Sequence, residues 1–426
     1  MKKTIYVHLL RSRDFMSFWG STTLPRLASN VLQFALAIYV LDLTGSAFVY
    51  ATVLSIIIVP RILCTSFAGY LADFRDSLRI LRWGTFGISA LMACFFMIHV
   101  FAVPLTVPLI YLLVSCLELS ETFLGPVEGK LLLRVVTEEE IAPASKISSL
   151  DDGIVEILSP VVAALCYSSL GLTGVLGVTF VLEGIAFVLS TLIRCGSQRM
   201  TEEHTFDEIP GFALKHAFCA YQETFQCLKD HPYVIGIILF APLFNFFVSP
   251  LFSVTAPHYF RVTMQADVNL YAMFNTLLGV AGLAAPFFGM VLIHDESEYR
   301  ANQGGTVISA AVLLCLSGVL YFGQDVVPNR GTLYAVTGAM AFLVAVVTIM
   351  NIATSITIKK RIPEQIMGRV LSMIQLCATI SVPLGQLFYG LCTDRFPVTV
   401  SFLISAVGLV VTFAVMAKTY QTIHRT

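Results

Sequence analysis

Apolar runs about 20 residues long recur along almost the whole chain, and nothing else in the sequence limits its fold so severely. In hydrocarbon no water satisfies backbone N–H and C=O groups, so a run of that length must be a helix that bonds to itself. The short alternating segments that a membrane barrel needs are not the pattern. Only 12% of the 426 residues are charged, against about 25% in a soluble domain, and the mean hydropathy is +0.82. The expectation is an all-α membrane protein embedded in a lipid bilayer. Met1 to Asp14 carries charges but no apolar core or cleavage site, so no leader peptide is expected.

Twelve spans can be drawn, at roughly 15–41, 46–72, 79–101, 105–130, 144–168, 172–194, 233–259, 268–293, 304–323, 331–357, 368–391 and 396–418. Of the 26 Lys and Arg, only Arg261, Arg330 and Arg395 then fall opposite the termini, with Arg26 and Arg61 inside spans. The positive-inside rule places both termini in the cytoplasm. The turn Leu43 to Gly45 becomes exterior. The longest connection divides the chain into 1–194, a linker 195–232, and 233–426. Within the linker, Leu214, Phe218, Tyr221, Phe225 and Leu228 form an amphipathic helical stripe suited to the cytoplasmic interface. An offset of 223 residues lays Lys146-Ile147 on Arg369-Val370 and Ser159-Pro160 on Val382-Pro383. Two six-helix bundles related by a weak parallel repeat define a transporter architecture with its substrate at the midplane.

Charge inside the spans is confined to the first half. Arg26, Glu118, Glu121, Glu156 and Glu183 all lie within spans, and Arg26, Glu118, Glu156 and Glu183 come roughly 17–20 Å along their helices at about 1.5 Å per residue. A charge at that depth costs about 2.5–3.5 kcal/mol on insertion scales, so it faces a cavity or a partner. Glu118, Glu121, Gly125 and Glu128 share one face of the fourth span; Thr22, Arg26, Ser29 and Gln33 share one face of the first. Burial disfavours the ionised carboxylate, so a glutamate cluster with few arginines is a candidate for proton exchange, against the alternative of local pairing for packing alone. Arg61 is read as snorkelling toward the cytoplasmic interface, and Glu138-Glu139-Glu140 as a solvated loop. The second half offers an uncharged wall: Asn245, Ser249 and Ser253 on the seventh span, and Thr348, Asn351 and Ser355 on the tenth. Pro242, Pro250 and Pro257 interrupt the seventh span and allow it to bend.

Several short motifs fall in a telling order: Arg13-Asp14-Phe15, Leu43-Thr44-Gly45-Ser46, Val59-Pro60-Arg61, Phe123-Leu124-Gly125-Pro126, and Pro363-Glu364-Gln365-Ile366-Met367-Gly368-Arg369-Val370. With these the chain resembles the major facilitator superfamily, and within it bacterial drug-efflux members of the macrolide and siderophore exporter type. The resemblance implies a twelve-helix fold of two pseudo-symmetric bundles, a cavity lined by spans one, four, seven and ten, and residence in a bacterial plasma membrane. It also implies a cytoplasmic gate at Gly69, Asp73, Arg75 and Arg79. There Phe74, Asp76, Ser77 and Leu78 replace basic and glycine positions of the family's loop. The antiporter motif of span five is represented by Ser159-Pro160-Val161-Val162-Ala163-Ala164, which keeps Pro160 but not the glycines. The arginine often found in span four of proton antiporters has no match.

These readings favour a monomeric secondary transporter that exports a bulky amphipathic small molecule in exchange for protons. Two alternatives remain: an exporter of an endogenous metabolite such as a siderophore or lysolipid, and a non-transporting sensor or assembly partner. Net charge −1 argues against a nucleic-acid partner. No metal-ligand cluster, cofactor motif, nucleophile constellation or ATP-binding loop is recognisable, so an enzyme, a metal site and a cofactor are not expected.

Overall fold

A computed structural model describes residues 8–58, 60, 61, 64, 68, 76–101, 104–194, 232–292, 298–322, 330–361 and 364–423. The helices, in order, are α1 (Arg13–Thr44), α2 (Ala47–Ile56), α3 (Ser77–Phe101), α4 (Val107–Val135), α5 (Glu138–Leu192), α6 (Pro232–Pro250), α7 (Val268–Leu292), α8 (Glu298–Phe322), α9 (Arg330–Arg361), α10 (Glu364–Arg395) and α11 (Val398–Ile423). Among the described residues, nine helices are long and apolar enough to cross a membrane. The linker stripe from Leu214 to Leu228, and the gate residues Gly69, Asp73 and Arg75, lie outside the described residues.

Helix α5 is two spans in one. At Gly171 the backbone turns to φ 63° and ψ −154°, a region that side chains with a Cβ resist. The fifth and sixth spans therefore become two arms of one element. The acidic run before them is not a loop. Glu138–Leu192 is helical from its first residue, and Thr137 with Glu140 forms a capping box in which Glu140 Oε2 accepts from the Thr137 backbone N–H at 3.0 Å. That fills a donor which the first helical turn cannot satisfy internally.

The prolines of the seventh span have the expected consequence. Lacking N–H groups, Pro250 and Pro257 cannot donate to carbonyls one turn earlier. The chain after α6 widens into two five-residue π turns, Leu251–Thr255 and Tyr259–Thr263, either side of Ala256–His258. Bonds such as Met264 N–H to the Tyr259 carbonyl at 2.8 Å carry that register.

Contacts group the chain into two compact units. The first comprises Met1–Leu43, Ile56–Thr205 and Asp267–Thr276; the second comprises Thr44–Ser55, Phe206–Ala266 and Leu277–Thr426. In the first, α3 packs on α4 and α5. Arg82 of α3 closes the end of α5 by donating to the carbonyl of Ile193 at 2.8 Å, and Asp14 accepts from the Arg194 backbone N–H at 3.0 Å. Tyr271, from the start of α7, stacks on Phe34 of α1 at 5.0 Å. In the second unit, α6 packs on α10 and α11, and α8 on α9 and α11. The fully buried Tyr389 meets Ser405 there at 2.5 Å, and Ser405 donates to the Phe247 carbonyl at 2.9 Å.

Candidate functional site

Apolar side chains dominate α1, yet one polar stripe interrupts them, and the first unit gathers charge around it. Ser29 donates to Glu121 of α4 at 2.8 Å, and Gln33 donates to Ser29 at 3.4 Å. One turn away, Arg26 donates to Asp152 of α5 at 2.5 Å, with Glu128 at 3.8 Å and Asp151 at 4.0 Å from its guanidinium. Thr23 donates to Asp151 at 2.6 Å. The polar faces of the first and fourth spans thus meet, with the first arm of α5 as a third wall. Thr22 does not join them: it is buried, and its hydroxyl turns back to the Trp19 carbonyl at 3.0 Å.

Glu118, 6% exposed, has a strong partner of its own. Arg61 Nε donates to its Oε1 at 2.6 Å. The arginine read as reaching for the interface is therefore turned onto the deepest glutamate of α4. A charged donor at that distance makes a short, strong hydrogen bond that offsets the burial of the carboxylate. Four carboxylates (Glu118, Glu128, Asp151 and Asp152) share two guanidiniums, those of Arg26 and Arg61, and a fifth, Glu121, accepts the Ser29 hydroxyl beside them. Fully ionised, such a set carries surplus negative charge, which either a proton or a cationic group would relieve.

The other glutamates stand apart. Glu156 is exposed on α5. Glu183, on the second arm of α5, is 4% exposed, and its Oε2 has no hydrogen-bond partner. Asp151 and Asp152 are the residues that sequence reading passed over. They sit nearer the start of their span than the mid-depth charges, but their place inside an apolar helix opposite Arg26 was a usable signal.

In the second unit, Ser253 accepts from Gln386 of α10 at 3.2 Å and donates to the Ser249 carbonyl at 3.2 Å. Thr348 donates to the Val344 carbonyl at 2.9 Å. Asn245 and Ser355 are half-buried and Asn351 is exposed. Phe246 packs among Phe247, Phe388 and Tyr389. Of the gate residues, Arg79 is largely exposed 3.8 Å from Asp76. Asp76 itself accepts from the Leu78 backbone N–H at 3.1 Å and so caps α3, which explains an aspartate at that point of the loop. Pro160 is buried in α5. Among the described residues no group of three or more His, Cys, Asp or Glu is placed to hold a metal ion.

A multi-pass helical protein with a polar network built across three of its membrane helices has the make-up of a membrane transporter rather than an enzyme. The family model of the Major Facilitator Superfamily matches residues 18–385, and the chain belongs to that superfamily. Macrolide efflux protein A of Streptococcus pyogenes is 22% identical over 414 residues, covering 96% of each chain. Among solved structures, a bacterial homologue of the iron transporter ferroportin in its inward-facing state superposes with a TM-score of 0.73. It is 15% identical and covers 96% of this chain and 98% of that one. A D-xylose–proton symporter gives a TM-score of 0.70 at 11% identity, over 94% of this chain and 96% of its own. At these identities the structures establish the major facilitator fold and nothing about cargo.

Proposed function

We propose that the chain exports a bulky amphipathic compound, cationic or neutral and macrolide-like, in exchange for protons. One observation carries this reading: four carboxylates of α4 and α5 are paired with the guanidiniums of Arg26 and Arg61, and a fifth, Glu121, is held by the Ser29 hydroxyl. The full-length likeness to a macrolide efflux protein supports the substrate class and the outward direction.

The carboxylates divide the work. Glu118 is committed to Arg61. Glu121 is exposed and takes one neutral hydrogen bond from Ser29, so a proton is most easily exchanged there. Glu128, Asp151 and Asp152 hold Arg26, and a cationic substrate group entering the cluster competes with that guanidinium for them. Proton release and substrate capture are then alternative ways of balancing one local charge. The uncharged hydroxyls, amides and phenylalanines of the second unit suit the apolar bulk of such a substrate.

Everted membrane vesicles made acid inside test the reading. Macrolide uptake that collapses with a protonophore is expected, and Glu121→Gln should abolish it while the protein folds and inserts normally. Uptake at the parental rate in both Glu121→Gln and Glu118→Gln would refute carboxylate coupling. No uptake by the folded parent would move the assignment to an endogenous metabolite.

A further inference from the structure

We propose that Glu156 receives the cationic group of the substrate, in a gap of the first unit between the Arg26 network and the Ser29–Glu121 bond. This rests on the export reading above and gives its substrate a basic amine. Glu156 lies mid-span on α5, is exposed, and among the described residues meets no hydrogen-bond donor and no cation. An ionisable group at that depth faces a partner or a polar space rather than lipid. The helix shows which side that is. At about 100° per residue, Glu156 falls about 40° from Asp152, the partner of Arg26. Ile154, Leu158 and Leu165 are exposed at 59%, 43% and 62%. They fall about 160–200° from Glu156 and form the lipid face of α5.

The heights of the neighbours close the gap above and below. Arg26 reaches both Glu128 of α4 and Asp152 of α5, so at that level the two helices stand one guanidinium apart. Successive spans cross in opposite directions, so α4 descends where α1 and α5 rise. Glu156 stands one turn above Asp152, about 6 Å, and Gly125 stands about 4.5 Å above Glu128. Glu121, bonded to Ser29, is about 10 Å above Glu128. Between these levels α4 is bare. Gly125 is exposed, a Cβ there would meet no atom within 4 Å, and its backbone is not left-handed. Neither a turn nor a close neighbour calls for glycine inside that helix, where alanine is more favourable. Asn30 of α1 is exposed at the same height as Glu156. Glu118, Glu128, Asp151 and Asp152 already hold guanidiniums and Glu121 a hydroxyl. An incoming ammonium therefore finds in Glu156 a carboxylate that it need not take from another group. A charge-assisted hydrogen bond there orients the amine, and the bare face at Gly125 leaves room for the bulk beside it.

The first test needs no substrate. Gly125→Cys in the full chain, in native vesicles, is treated with two methanethiosulfonates of similar size, one ending in trimethylammonium and the other in sulfonate. Modification is followed at each cysteine by peptide mass. The reaction needs a thiolate in water, so Leu158→Cys on the lipid face of α5 should stay slow with both. A unit negative charge about 10 Å away attracts one reagent and repels the other, so the cation-to-anion rate ratio at 125 should fall about four-fold in Glu156→Gln. Glu156→Asp should keep most of the ratio. An unchanged ratio in Glu156→Gln, no reaction at 125, or equal reaction at 125 and 158 would overturn the assignment. Asn30→Cys replaces Gly125→Cys if that variant misfolds. In transport, Glu156→Gln should raise the KM of an amine-bearing macrolide about ten-fold more than that of its N-acetyl form, and equal rises would overturn amine recognition. A parent that moves no macrolide would sink the export reading and leave the charge ratio to decide the role of Glu156.

Discussion

Replacing Arg61 by Gln removes the guanidinium that pairs with the buried carboxylate of Glu118. The carboxylate side chain is 7% exposed, while the arginine is 52% exposed and 2.6 Å away. Removing one partner of a fully buried pair costs about 3–5 kcal/mol, because the other charge is left without compensation. The exposure of the arginine reduces what the pair contributes, so a loss of about 2–3 kcal/mol is expected for Arg61→Gln. The double variant Arg61→Gln/Glu118→Gln should recover most of it, since two neutral amides can bond each other. Unfolding midpoints in detergent, followed by size-exclusion fluorescence, should rank the parent close to the double variant and both above Arg61→Gln. Equal midpoints for the single and double variants would refute the argument.

Further outcomes follow from the same geometry. Asp152→Asn removes the 2.5 Å partner of Arg26 but leaves Glu128 and Asp151 in reach; affinity for a cationic probe should fall several-fold, read by fluorescence binding, with little change in midpoint. Gly171→Ala meets no atom within 4 Å, so its cost is conformational alone, about 1–3 kcal/mol, and unfolding of the purified protein should show it without loss of transport.

Much of the architecture was legible because the membrane leaves few choices. An apolar run of span length must be a helix, and turns such as Gly171 and breaks such as Pro250 announce themselves by residue type. Arg26 and Glu121 were legible for a related reason: a charge in an apolar run costs enough to require a purpose. The acidic run Glu138–Glu140 misled because its composition resembles a loop, while the capping bond that makes it a helix start depends on Thr137 beside it.

What the chain itself determined is therefore periodic and local: apolar helices and the points where they turn or break. Which charge meets which was decided only by the tertiary structure. Arg61 lies 57 residues from Glu118, Arg26 lies 126 from Asp152, and Ser46 lies 348 from Asp394. No helical period spans such separations, and a carboxylate in low dielectric is satisfied equally well by a guanidinium, a hydroxyl or a helix end. The packing of α1, α4 and α5, and of α2 on α10, selects among them. That selection gives Glu118 a guanidinium, Glu121 a hydroxyl and Asp394 a helix start as partner.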